Sequence, residues 1–345
     1  MNNTPQDYTF KHLPFPSINQ YRNTVKSVVD TAKHNNQEIP TLLLLRGTVK
    51  LHGTNAAVVL GLDGKLYPQS RERVLTLEHD NAGFAAFCTL HNDWFIEQCK
   101  LFEGLKSKDT DVVQIFGEWC GGNIQKGVGL SKVPRMFVIF GVRVSTTAEE
   151  NKWLNMEDFN MISCNKLTDV FLISQFPIFY INIDFNTPEQ YQNQLQEFTA
   201  EVERDCPVAR ALLPDSTEEL IGEGIVWEVI ADGNCPYNSM RFKVKGEKHS
   251  VSKVTGLVTI DMEKVNSVTE FVDATCTVNR LEQGLEKMHE QFKIVDQTKT
   301  GDFIRWIMAD ILKEDSELMV KSGLCTRDIS SKIASKARTW FIAKL

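Results

Sequence analysis

The 345-residue chain lacks most of the marks that would assign it to a special class. Its eight cysteines are scattered and include no C-x-x-C pair, so zinc-ligand spacing is missing. A disulfide framework is not expected in a chain of this size, and the cysteines read as reduced core thiols of a cytoplasmic protein. No apolar run approaches the roughly 20 residues of a membrane helix. The polar opening Met1-Asn2-Asn3-Thr4-Pro5-Gln6-Asp7 has no signal-peptide pattern, so no membrane partner is expected. There is no internal repeat and no low-complexity stretch. Positive charge is not in excess either. The formal net charge is −7, which excludes a globally basic nucleic-acid coat and leaves polyanion binding to local patches. The glycine-rich stretch 121–127 lacks the Gly-Lys-Ser/Thr ending of a P-loop.

Two local patches are present. Residues 241–253 carry Arg241, Lys243, Lys245, Lys248 and Lys253 against Glu247. Residues 327–345 carry Arg327, Lys332, Lys336, Arg338 and Lys344 against Asp328. Solvated faces give the same pattern, but the lysines of the first patch alternate along an expected strand and so share one side.

The chain is organised around Lys50-Leu51-His52-Gly53-Thr54-Asn55, set between the apolar runs 41–49 and 56–60. A lysine at the end of a buried strand is costly without a task, and a glycine beside it permits close backbone approach. A structural turn would give the same short pattern. Its weight comes from four further motifs downstream, in the order Ser70-Arg71, Phe116-Gly117-Glu118, Glu223-Gly224-Ile225-Val226 and Lys243-Val244-Lys245, which make five elements with the first.

Hydrophobic periodicity predicts helices over 18–34, 82–102, 151–162 and 187–204. Thr187, Pro188 and Gln190 make a capping-box signal for the last of these. Strands are expected over 41–50, 55–60, 65–71, 111–118, 135–144, 170–174, 178–183, 221–230 and 240–245. An Asp63-Gly64 hairpin turn should bring Arg71 back near Lys50. Beyond residue 254 the spacing turns helical, over 281–292, 303–320 and 328–345. The reading is α+β with two domains, 1–255 and a small all-helical 256–345.

Chemically, Lys50 is a candidate nucleophile toward phosphorus, activated by neighbouring positive charge from Lys243 and Lys245. Those two lysines could also hold phosphates. Arg71, preferred over Arg73, could take phosphate or ribose oxygens. Glu118 and Glu223 could accept ribose hydroxyls or hold a hydrated divalent cation, and Phe140 could stack on a purine.

These motifs together resemble those of covalent nucleotidyltransferases, which include DNA ligases, mRNA capping enzymes and RNA ligases. The first two groups usually carry Lys-x-Asp-Gly-x-Arg and an OB barrel. The His52 and Asn55 here, with a helical tail opened by Thr277-Val278-Asn279-Arg280-Leu281, are similar to the RNA ligase 2 family, which includes phage RNA ligases and kinetoplastid RNA-editing ligases. Gly141 departs from that pattern, which commonly has an acidic residue there, and the lead-in before Lys50 is long.

The resemblance implies an ATP-grasp-like domain of antiparallel sheets with flanking helices, and a monomeric ATP-dependent enzyme joining RNA 3′-hydroxyl and 5′-phosphate ends. Lys50 would form lysyl-AMP. His52 would orient the pyrophosphate or the lysine. Asn55 and Arg71 would contact the nucleotide and the RNA end. Glu118 would hold the ribose, Phe140 would stack on adenine, and Lys243 and Lys245 would contact the α-phosphate. Glu223 would assist Mg²⁺, with Mn²⁺ able to substitute. Arg327, Lys332, Lys336 and Arg338 would contact RNA phosphates. A guanylyltransferase, a DNA ligase or a non-catalytic RNA-binding protein on the same fold are the alternatives.

Overall fold

In the computed structural model, the described residues are 12–145, 153–230, 240–250, 267–292 and 294–345. In chain order the elements are β1 (Asn19–Gln20), α1 (Tyr21–His34), β2 (Leu43–Val49), β3 (Thr54–Leu60), β4 (Leu66–Ser70), α2 (Phe84–Leu90) and α3 (Asn92–Lys100). Next come β5 (Val112–Cys120), β6 (Met136–Ser145), α4 (Met156–Phe159), β7 (Val170–Leu172), β8 (Ile178–Ile183), α5 (Gln192–Arg204) and α6 (Pro207–Leu212). Last are β9 (Gly224–Val229), β10 (Arg241–Lys245), α7 (Val268–Thr275), α8 (Val278–Gln291), α9 (Thr300–Lys321) and α10 (Thr326–Lys344). The chain is α+β, as expected. It divides into two compact units: Met1–Ser17 with Arg46–Ile181 and Glu201–Ser239, and Ile18–Leu45 with Asn182–Ala200 and Met240–Leu345. The expected border at 255/256 lies outside the described residues, as do residues 231–239 between the expected strands 221–230 and 240–245.

A five-stranded sheet of order β4-β3-β5-β6-β7 lies wholly in the first unit. It is antiparallel except at its β6–β7 edge. Period-two alternation gives it two unlike faces. On one face Trp119 and Phe137 meet Phe84, Phe87 and Phe95 of α2 and α3, with ring centroids 4.7–6.0 Å apart. The other face carries Asn55 opposite Glu118, and Phe116 beside a bulge at the β5–β6 pairing that accommodates Phe140. Phe15 of the lead-in packs against Phe116, Phe140 and Trp153 there, at 5.5, 5.0 and 5.1 Å. The Asp63-Gly64 turn closes as expected: Gly64 has φ +73° and the Lys65 N–H donates to Asp63.

In the second unit β1 pairs parallel with β10, Gln20 opposite Lys243. Helices α7 to α10 share a core that includes Phe271, Leu281, Phe303, Ile311, Ile333 and Phe341. Phe303 stacks on Phe341 at 4.4 Å. The helical texture expected after residue 254 is therefore real where it is described, and α7 is an added helix that periodicity did not mark.

Three local expectations change. The 82–102 helix is two helices, because the chain departs from helical geometry at His91 (φ −108°, ψ 22°). Within the described part of 151–162 only the single turn of α4 is helical. Thr187 makes no side-chain cap. A 3-10 turn over Pro188–Tyr191 precedes α5 instead, consistent with proline fixing the entry conformation. Six of the described cysteines are buried free thiols, and Cys325 is exposed. Burial pushes the Cys99 thiol up to about 12, which makes it unreactive.

Candidate active site

Lys50 follows β2 and Glu223 precedes β9. The Lys50 N–H donates to the Gly224 carbonyl at 2.8 Å, so backbone pairing brings the two side chains to one place. Lys50 Nζ lies 2.6 Å from Glu223 Oε2, and His52 Nδ1 lies 3.0 Å from the same oxygen. The Glu223 side chain is only 2% exposed, whereas Lys50 keeps 22% and His52 13%. A buried carboxylate thus faces two basic groups that remain reachable from solvent. Such a carboxylate requires partners of this kind to stay ionised.

Gly53 ties the turn to the sheet. Its N–H donates to Glu118 Oε1 at 3.0 Å. A Cβ at Gly53 would stand 2.4 Å from the Trp119 carbonyl and 2.6 Å from Cys120 Cβ. Close approach here is therefore to the chain's own β5 as well as to anything the lysine handles. Asn55 stands opposite Glu118 in the sheet, so the turn and both expected nucleotide contacts share one edge.

The β3–β4 hairpin returns the chain to the start of β3. Ser70 pairs with Ala56, so Arg71 leaves β4 at the end where Thr54 and Asn55 begin β3. The Ser70 hydroxyl accepts the N–H groups of Glu72 and Arg73, and His12 Nε2 lies 3.1 Å from the Ser70 carbonyl. The turn is fixed, yet Arg71 Nε is buried without a hydrogen-bond partner among the described residues. A buried guanidinium N–H left unpaired is costly and suits an anionic ligand.

Phe140 is half-buried, with Phe15 set edge-on against it. Behind the same ring cluster, the buried Arg143 donates to Gln114 Oε1 at 2.6 and 2.9 Å and to the Leu13 carbonyl at 3.1 Å. Its guanidinium lies 5.2 and 5.1 Å from the Phe116 and Trp153 rings, and burial lowers its pKa to about 10. The lead-in residues His12, Leu13 and Phe15 thus belong to this sheet face. In the sequence this segment stands out only as part of a long lead-in. Its one legible signal is a pair of apolar residues, Leu13 and Phe15, inside a polar terminus.

In the second unit, Phe242 and Val244 are buried while Arg241, Lys243 and Lys245 are half-buried, so the expected alternation holds. Lys243 Nζ lies 3.0 Å from Glu314 Oε1 on α9. That partner was not foreseen. The four candidate RNA contacts on α10 do not form one patch. At about 100° per residue, Lys332 and Lys336 fall on one flank of the buried stripe and Arg327 and Arg338 on the other. Lys336 pairs with Asp273 at 2.8 Å and Lys332 donates to Thr269 at 2.5 Å, both toward α7. The Thr277–Leu281 motif is structural: Thr277 caps α8, Asn279 donates to the Lys248 and Ser250 carbonyls, and Arg280 is fully buried.

Among the described residues, no three His, Cys, Asp or Glu side chains converge as a metal cage. A single carboxylate such as Glu223 suits Mg²⁺, which keeps waters and takes one or two carboxylates together with substrate phosphates. No helix of the described residues is long and apolar enough to cross a membrane.

Comparison with known proteins gives one informative result. No curated protein matches. Among solved structures, a Naegleria gruberi RNA ligase variant with AMP and Mn is similar at 14% identity and a TM-score of 0.44, covering 68% of this chain and 56% of that one. The Naegleria gruberi RNA ligase with PPi is similar at 14% and 0.44, covering 71% and 62%. This chain spans less than two thirds of those relatives, and likenesses so distant carry no argument about it. The family model described as RNA ligase, however, matches residues 45–245, more than half of the chain and every motif from Lys50 to Lys245. The chain belongs to the RNA ligase family.

Proposed function

We propose that the protein is an ATP-dependent RNA ligase that seals 3′-hydroxyl and 5′-phosphate ends, at nicks in duplex RNA, through lysyl-AMP and RNA-adenylate. The observation that carries this is the solvent-reachable Lys50 ammonium held 2.6 Å from the buried Glu223 carboxylate, with His52 on the same oxygen. In the family the motifs resemble, the lysine at this position is the nucleophile.

In the first step Lys50 Nζ gives up a proton and forms a bond to the α-phosphorus of ATP, while the bond to pyrophosphate breaks. Glu223 stands within the distance at which a carboxylate takes a proton from an amine. His52, on the same carboxylate, orients the lysine or the leaving pyrophosphate. Glu118 and Asn55, opposite one another, serve the ribose and the nucleotide, and Phe140 offers its ring to adenine. Arg71, whose Nε has no hydrogen-bond partner among the described residues, takes a phosphate oxygen of the nucleotide or of the RNA end. Lys243 and Lys245 supply charge for the α-phosphate. A divalent cation, Mg²⁺ or Mn²⁺, offsets phosphate charge when bound, and Glu223 with the phosphates would hold it. The AMP then passes to the RNA 5′-phosphate, and attack by the 3′-hydroxyl releases it.

The test incubates the protein, first treated with pyrophosphate to strip bound AMP, with Mg²⁺ and α-labelled ATP or GTP. Label from ATP on the denatured wild type, absent in Lys50→Ala, is expected. Label from GTP would move the protein to the guanylyl class, and no label from either would leave a binding protein.

A further inference from the structure

Six charged side chains meet inside the second unit. Arg22 of α1 donates to Asp315 Oδ1 at 2.8 Å and to the Glu314 carbonyl at 2.6 Å. Arg280 of α8 donates to Asp310 at 2.8 Å and to Asp315 Oδ2 at 2.9 Å, and also bonds the Thr275 carbonyl. At Asp315 the backbone of α9 leaves helical geometry, with φ −123° and ψ 16°. The neighbouring carboxylate, Glu314, lies 3.7 Å from Arg280 and reaches β1 and β10. One of its oxygens accepts from Gln20 at 2.5 Å and the other from Lys243 at 3.0 Å. Gln20 and Lys243 are register partners across the β1–β10 pairing, so the carboxylate bridges two adjacent strands.

Lys243 is the residue this geometry acts on. An ammonium has three N–H donors, and one contact to Glu314 leaves the side chain 19% exposed. We propose that Glu314 is a positioning residue for Lys243: the helical tail reaches through it to hold the ammonium in place and charged, ready for the α-phosphate. The proposal rests on the ligase function. It assigns a role in the nucleotide step to a residue of the tail, which sequence reasoning gave only to RNA contact.

The charge balance supports this. Burial pushes the Lys243 pKa down, Glu314 works against that, and the neighbouring Lys245 lowers it further. Asp310 on α9 also faces the lysine, while Arg22 and Arg280 stand behind the carboxylates. Removing the Glu314 charge therefore leaves burial and Lys245 to drive the proton off at lower pH.

Lysyl-AMP formation by the full chain would be measured against ATP concentration and pH for wild type, E314Q, E314D and Q20A. E314Q is expected to raise half-saturating ATP by roughly tenfold, with a smaller change in the maximal rate, and to move the alkaline fall-off to lower pH. E314D should recover most of both. Q20A, which keeps the charge but removes a bond that aims it, should raise half-saturating ATP without moving the alkaline limb. Faster labelling by E314Q would show Glu314 to be a competitor for Lys243 and overturn the proposal. Wild-type half-saturation and pH profile in E314Q would also overturn it, as would an equal fall in all parameters that E314D does not rescue. A wild-type chain that takes no label at all sinks the ligase function itself, a result distinct from any of these.

Discussion

Glu223 is the residue whose loss should be felt most widely at the site, because one oxygen serves both Lys50 and His52. Glu223→Gln keeps the shape and removes the charge. We expect lysyl-AMP formation to fall roughly 100-fold or more, the scale of losing a hydrogen bond to a charged group in a reacting pair. Single-turnover labelling checks this. Gly53 makes a different prediction. A Cβ there would collide with the Trp119 carbonyl at 2.4 Å, which is backbone and cannot swing aside. Gly53→Ala should cost about 1–3 kcal/mol in urea unfolding and depress labelling, because the turn must move off Glu118. The choice between Arg71 and Arg73 is also testable. Arg71→Ala should reduce sealing of a nicked RNA by at least about tenfold, in keeping with a charge-assisted bond of roughly 1.5–3 kcal/mol. Arg73→Ala should do less, since the Arg73 carbonyl, kept in the variant, is what pins Ser70.

Among the elements, α10 carries the most specific expectation. Its basic residues sit on two flanks, and those of one flank are turned to α7 through Asp273 and Thr269. If the tail grips RNA through Arg327 and Arg338, the double alanine variant should weaken RNA binding and lower the slope of log affinity against log salt by about 1–2, as loss of two phosphate contacts requires. The Lys332/Lys336 double variant should leave that slope nearly unchanged. A filter-binding salt series separates the two. Much at this scale was legible beforehand. The strands 55–60, 65–71 and 135–144 appear within two residues of their expected ends, because alternation and the Asp63-Gly64 turn are local signals. The continuous 82–102 helix was not legible as two, since apolar spacing carries through His91 while the backbone does not.

For the chain as a whole, the buried charges of the second unit set an acid sensitivity. Burial works against the charge of Glu314, but Lys243, Lys245 and Arg280 outweigh it and hold its pKa to about 2, from an ordinary 4.5. A carboxylate held down in the native state adds stability that is complete above its unfolded pKa and is lost as pH falls through its native one. The gap in urea stability between wild type and E314Q should therefore be roughly 3 kcal/mol near neutrality, the scale for breaking a buried ion pair. It should close as pH falls from about 4.5 toward 2. A gap independent of pH across that window would contradict the assignment.

The sequence by itself determined the order of motifs, the α+β class, the alternation that puts Lys243 and Lys245 on one side, and the family. All of these are written in local spacing and residue type. Only the tertiary structure decided which groups meet. Glu223 lies 173 residues from Lys50, Glu314 lies 71 from Lys243, and Phe15 reaches Phe140 from a segment with no periodicity at all. Arg280 looked like part of a family signature and proved to be a buried ionic hub. Periodicity reports which side of an element is buried. It does not report what stands opposite, because that partner is chosen by chain closure over long separations and by the cost of leaving a buried charge alone.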